Sequence, residues 1–214
     1  SDRMAAERPY LEDGARKLSD AVERLLQCED VDSMRGVEGA AATAYFSRMD
    51  SLLAGNPGNF RFETRSRRPP RNEVNAALSF TYMLLTREMQ SAMETVGIDP
   101  AAGYLHTLRP GRASFSLDLI EELRAPLCDR FVLSLFNKGQ LSGGDFEKNE
   151  EAVYLNERGR RTLISSWQRR KQEEIIHPFL EEKVQIGMIP YVQTMLFARV
   201  LRGDLDDYPP FVWR

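Results

Sequence analysis

The sequence predicts a mainly α-helical bundle, one helical domain over residues 1–214 with at most one small β-hairpin. Three observations carry this. Apolar residues recur at three- and four-residue steps through most of the chain, as in Leu11, Ala15, Leu18, Val22 and Leu25. Helix signals punctuate these segments: Asn72 and Asn156 precede two of them, and Gly97 and Gly203 follow two. Strand character gathers at Ala152-Val153-Tyr154-Leu155, after Gly143-Gly144, where a hairpin fits.

The totals bound the function. Hydrophobic residues make up 42% of the 214, enough for a core, and no apolar run approaches the roughly 20 residues of a membrane span. No signal peptide is visible. Cys28 and Cys128 lie far apart without metal-ligand spacing and read as free thiols of a cytoplasmic protein. A net charge of -3 means that any nucleic-acid site must be a local basic patch.

After the first helix, Asp32 or Ser33 can cap a second that runs through Val37, Ala41, Tyr45 and Leu52 and breaks at Gly55-Asn56-Pro57-Gly58. Glu38 lies in its first turns among Gly36, Gly39 and a run of alanines. Small residues admit another backbone, which would bring Glu38 against a neighbouring helix; the alternative is that Glu38 complements the helix N-terminus. Residues 59–72 form a loop with Arg61, Arg65, Arg67, Arg68 and Arg71 against the single acid Glu63. The arginine fork suits phosphate, so this loop either contacts DNA or is solvated surface.

The third helix follows Asn72 with a core stripe of Val74, Ala77, Leu78, Thr81, Leu84, Leu85, Met89 and Val96, and stops at Gly97. Asp99-Pro100 predicts a new short helix with a cap and a proline at its first position, ending at His106. Arg109 and Arg112 flank the next turn, Pro110-Gly111. Then comes an apolar helix carrying Asp118 and Glu121, three apart and so on one face. Acids on a helix this apolar are partly desolvated, at several kcal/mol per charge unless compensated. A divalent cation with the neutral His106 imidazole as a further ligand would compensate them; a solvated acidic edge and a structural histidine is the other reading.

Pro126 should interrupt that helix, and the apolar run from Leu127 to Phe136 stops at Lys138-Gly139. The helix after Asn156 carries Arg158, Arg160, Arg161, Arg169, Arg170 and Lys171, a run that lines DNA or faces water. His177-Pro178 reads as structural. A last helix through Ile189, Val192, Leu196 and Val200 leads to an acidic stretch and a Pro-aromatic tail, Tyr208 to Trp213, expected to pack on the domain. No repeat, Gly-rich phosphate loop or Ser-His-Asp arrangement stands out.

Four of these segments, in order, carry a resemblance: Arg35-Gly36-Val37-Glu38-Gly39-Ala40-Ala41 with Tyr45-Phe46; Arg68-Pro69-Pro70 with Val74-Asn75-Ala76-Ala77-Leu78; Val96-Gly97-Ile98-Asp99-Pro100 to Gly103-Tyr104-Leu105-His106; and Ser116-Leu117-Asp118-Leu119-Ile120-Glu121. Together they resemble the CRISPR-associated integrase and endonuclease family Cas1, which acquires spacers, in the style of the I-C subtype. The resemblance implies a metal-dependent DNA endonuclease/integrase that inserts prespacer DNA into a CRISPR array by 3′-hydroxyl attack on a phosphodiester. It implies Glu38, His106 and Glu121 as ligands of Mg2+ or Mn2+, with Asp118 in support, and DNA contact by Arg65, Arg67, Arg68, Arg71, Arg109 and Arg112. The partners implied are prespacer and repeat DNA, Cas2, and a second copy in a homodimer built by a β-rich N-terminal domain that would precede this chain. Two other classes fit the residues: a different metal-dependent DNase or phosphodiesterase using the same ligands, and a non-enzymatic helical interaction module.

Overall fold

The computed structural model describes residues 2–53, 55–107 and 109–213. Helices predominate, as expected: α1 (Asp2–Leu25), α2 (Val31–Phe46), α3 (Met49–Leu52), α4 (Glu73–Val96), α5 (Ser114–Leu123), α6 (Arg130–Asn137), α7 (Glu157–Lys171) and α8 (Ile189–Leu201). The chain forms two compact units, Ser1–Ala76 with Leu133–Asn156, and Ala77–Val132 with Glu157–Arg214, and passes between them within α4, within α6 and at the start of α7. Among the described residues no helix is long and apolar enough to cross a membrane.

In the first unit Arg48 ties α1 to α2. Its guanidinium donates to Asp13 at 2.8 Å and to the Ala44 carbonyl at 2.9 Å, and lies 4.4 Å over the Tyr10 ring. Lys17, then Arg16, bond Asp13 and hold its carboxyl down to about 2. The N-cap of α2 is Asp30, not Asp32 or Ser33: it has extended backbone and accepts from the Ser33 amide at 2.8 Å, so the helix starts earlier than the sequence suggested. Phe60, Phe62, Met49, Leu53 and Val74 are buried, and Phe60 lies edge-on to Phe136 at 4.8 Å. The hairpin expected near residue 150 is present: β1 (Phe146–Lys148) pairs antiparallel with β2 (Val153–Leu155), Phe146 opposite Leu155.

In the second unit Leu78, Leu85, Met89 and Met93 of α4 are fully buried, and α4 ends at Gly97, whose φ of +84° favours glycine. Pro126 does not end the helical path. Lacking an N–H, it removes one hydrogen bond, and the backbone widens into a π-helical segment, Arg124–Asp129, that joins α5 to α6. Asp129, 2% exposed, accepts from the Tyr82 hydroxyl at 2.5 Å. Trp167 of α7 is buried and donates to Glu88, whose same oxygen accepts from Lys171 at 2.8 Å.

A second small sheet, β3 (Glu174–Ile176) with β4 (Lys183–Gln185), adds to the one hairpin anticipated. Three-residue strands with Ile176 exposed leave no alternation to read. His177 follows β3 and is 1% exposed. Its Nδ1 accepts from the Phe179 and Leu180 amides, each at 3.3 Å, and its Nε2 bonds Gln193 Oε1 at 3.0 Å. Protonation would turn Nδ1 from acceptor to donor facing two N–H groups, and burial pushes the imidazole pKa below its ordinary 6.5. The unfolded chain therefore takes the proton first. This contribution to stability is complete above about pH 6.5 and is lost as pH falls below it. From about pH 7 to about pH 5.5 the urea midpoint of the wild type should drop further than that of His177→Gln; equal slopes would locate the pH dependence elsewhere.

Candidate active site

Among its described residues, the segment between α4 and α5 makes turns and no helix. Asp99 caps a tight turn through Ala101, and the Pro100 carbonyl accepts from Phe115 and Ser116, capping the first turn of α5. The helical turn predicted before His106 is replaced by this cap because the carbonyl that would propagate it bonds the next helix instead.

Asp118, on the second turn of α5, organises the loop. Its side chain is 7% exposed. One oxygen accepts from the Tyr104 amide at 2.6 Å and the Leu105 amide at 3.0 Å; the other accepts from the His106 amide at 2.9 Å and His106 Nδ1 at 2.6 Å. Three successive N–H groups thus converge on one carboxylate, the concave arrangement by which backbone binds anions. With Nδ1–H donated to Asp118, the lone pair of His106 is left on Nε2, in a ring still 26% exposed. Glycine is required at 103: a Cβ would fall 2.6 Å from Ser114 Cβ and 2.9 Å from the His106 carbonyl oxygen. Gly103→Ala should cost about 1–3 kcal/mol in denaturant unfolding, and an unchanged midpoint would show that the loop is not packed this tightly.

Glu121 lies one turn on from Asp118, 30% exposed, 2.6 Å from the Arg124 guanidinium, which sits 5.1 Å over the Tyr82 ring. Glu122 serves a different end. It accepts from the Tyr208 hydroxyl at 2.5 Å, the Gln193 amide at 2.9 Å and the Phe211 backbone at 2.7 Å, and burial raises its pKa against those three donors. It anchors the Pro-aromatic tail, which packs as expected, with Phe211 buried and Arg130 5.4 Å from the Trp213 ring. Sequence reasoning missed both Arg124 and Glu122. The i, i+3 spacing to Glu121 signals the first; nothing local signals the second.

Glu38 is exposed on α2. The close helix approach expected at its glycines is not there: among the described residues, a Cβ on Gly36 or Gly39 would meet nothing within 4 Å. Glu38 belongs to the first unit, and His106, Asp118 and Glu121 to the second. The described residues hold no ready-made cage of three or more His, Cys, Asp or Glu side chains. The donor chemistry nonetheless fits a hard divalent cation: His106 keeps its Nε2 lone pair in a partly exposed ring, and Glu121 presents a partly exposed carboxylate.

The arginine loop divides. Arg65 turns inward, donating to the Ser66 carbonyl at 2.7 Å and Asn75 Oδ1 at 2.8 Å, and lies 5.9 Å from the Phe46 ring. Asn75, fully buried, also bonds the Thr64 carbonyl, so the loop is stitched to the start of α4. Arg67, Arg68 and Arg71 are exposed, as is Arg109; Arg112 is half-buried.

Residues 2–169 match the family described as CRISPR associated protein Cas1. The chain is 50% identical over 205 residues to CRISPR-associated endonuclease Cas1 1 of Chlorobaculum tepidum, covering 95% of this chain and 60% of that protein. It is 43% identical to CRISPR-associated endonuclease Cas1 of Leptospira interrogans, covering 98% and 82%. Among solved structures, a casposase bound to an integration product superposes with a TM-score of 0.80 at 21% identity, over 96% of this chain and 59% of that one. A Cas1 protein from Thermotoga maritima gives 0.78 at 26%, over 94% and 66%. A partial Cas6-RT-Cas1–Cas2 complex gives 0.81 at 22%, over 98% and 61%. The chain thus spans about 60% of the length of the first of these relatives.

Proposed function

Because the chain belongs to the Cas1 family, we propose that it carries the catalytic residues of a divalent-metal-dependent DNA endonuclease and integrase that joins prespacer ends to a CRISPR repeat. A 3′-hydroxyl attacks a repeat phosphodiester; a new phosphorus–oxygen bond forms, the old one breaks, and the departing 3′-oxygen takes up a proton. Glu38, His106 and Glu121 would hold Mg2+ or Mn2+, which when bound polarises the phosphate and stabilises the leaving oxygen. Asp118 fixes the ring of His106 and leaves Nε2 as its ligating atom. Arg124 keeps the Glu121 carboxylate in place before the cation arrives. No side-chain nucleophile is needed, since the DNA brings its own hydroxyl.

The observation that carries this reading is the four-bond hold of Asp118 on the segment ending in His106. A casposase with this fold is bound to an integration product, and Cas1–Cas2 complexes share the fold, which supports DNA and Cas2 as partners. A second copy of the chain is part of the same proposal and rests on the family resemblance alone. The test is strand joining by the full-length protein on a repeat-bearing target with labelled 3′-hydroxyl ends. Cleavage without joined product would instead favour a metal-dependent DNase or phosphodiesterase.

Arg67, Arg68 and Arg71, with Arg109 and Arg112, are the phosphate contacts of this reading, while Arg65 orders the loop that presents them. Replacing Arg67, Arg68 and Arg71 together by alanine should weaken binding to all DNA sequences alike and flatten the slope of log affinity against log salt by about 2–3. An unchanged slope would leave the loop as solvated surface.

A further inference from the structure

Resting on the nuclease–integrase reading above, we propose that Tyr104 is a stacking platform for an unpaired nucleobase next to the reacting phosphate. Two-thirds of Tyr104 is open to solvent, 66%, and Leu105 beside it is 42% exposed. Scattered exposed apolar residues need no explanation, but this ring is held in place. It meets Phe115 edge-on at 5.4 Å and Phe197 at 6.2 Å, and those two rings contact each other at 4.7 Å. Its backbone amide is bound to Asp118 at 2.6 Å. A ring fixed from below by an aromatic cluster and through its own amide loses little freedom when something lands on it.

Position decides what lands there. Tyr104 is two residues from His106, so their Cα atoms are within about 7 Å of each other. Arg109 and Arg112 follow in the same loop and supply charge for phosphates. An aromatic face beside cationic side chains is how proteins bind single-stranded nucleic acid without reading its sequence, since every base has a π-face. A ledge meant for a protein partner would have no use for a place beside the reacting group. The platform would hold an unpaired base beside His106 and so orient the adjoining phosphodiester.

The experiment compares full-length wild type with Tyr104→Ala, Tyr104→Leu and Tyr104→Trp, on blunt duplex DNA and on the same duplex with an unpaired 3′ end carrying 2-aminopurine. The expected result is quenching of 2-aminopurine by wild type and Tyr104→Trp, and its loss in Tyr104→Ala and Tyr104→Leu. Those two variants should also lose roughly 5- to 100-fold in affinity for the unpaired end alone. Tyr104→Leu keeps an apolar cover over Phe115 and so separates stacking from folding. Equal losses on blunt and unpaired DNA, unchanged quenching in Tyr104→Leu, or failure of Tyr104→Trp to retain binding would each overturn the platform. Wild type that binds neither DNA would instead sink the nuclease–integrase reading, and this inference with it.

Discussion

Asp118→Ala will release the loop before α5 and disable His106 while leaving the helical fold in place. The side chain accepts from three consecutive amides and from His106 Nδ1, and it is almost wholly buried. Hydrogen bonds to a charged group contribute about 1.5–3 kcal/mol each, but the exposed Tyr104 and Leu105 amides can turn to water. A net loss of about 2–3 kcal/mol is therefore expected in chemical denaturation. Without the Nδ1 partner the imidazole can rotate and change tautomer, so metal affinity or joining should fall about 10–100-fold. Asp118→Asn should rescue little. Its amide nitrogen would face either the two amides that now bond one oxygen or the N–H of His106, setting donor against donor. An Asn variant that joins DNA at the wild-type rate would show that the carboxylate is not what orders this loop.

The larger effect is expected at the ligands themselves. Glu38→Ala, His106→Ala and Glu121→Ala should each abolish joining and cleavage by the full-length protein. Each should also cancel the thermal stabilisation that Mn2+ confers on wild type, about 2.7 kcal/mol at a hundredfold excess over Kd. Their metal-free stabilities should differ in a way the surroundings dictate. Glu38 is exposed, so its loss should fall within about 0.5 kcal/mol of wild type. Glu121 is the ion-pair partner of Arg124, whose side chain is only 16% exposed and whose Nε has no hydrogen-bond partner among the described residues. Glu121→Ala should therefore be the most destabilised of the three without metal, and Glu121→Gln less so. A Mn2+-induced shift as large in Glu38→Ala as in wild type would remove Glu38 from the site.

Much of this was legible in the residues because the signals are local. Three- and four-residue periodicity marks α1, α4 and α8; Asn72 bonds the Asn75 amide as a cap should; Gly97 and Gly203 adopt the positive φ that a helix stop needs. The errors fall where a local signal is overruled by a partner elsewhere. Asp99-Pro100 has the chemistry of a helix start, but the Pro100 carbonyl is engaged by Phe115 and Ser116. Pro126 looked like a break, yet a widened turn absorbs the missing N–H. Within the candidate site, the acids Asp118 and Glu121 could be placed on one face, and His106 beside them. That Asp118 grips the loop through its amides depends on a chain reversal of a dozen residues, which composition does not encode. Glu122 lies still further out of reach, bonding Gln193 and Tyr208 across 71 and 86 residues.

The most direct measurement is the joining rate of full-length His106→Ala beside wild type, in Mg2+ and in Mn2+, on a repeat-bearing target with 3′-hydroxyl prespacer ends. Loss of joined product in both metals, with the helical fold retained, is the predicted result. Joining at the wild-type rate in both would contradict a site in which Glu38, His106 and Glu121 hold the cation, and Asp118 would have to be its direct ligand instead.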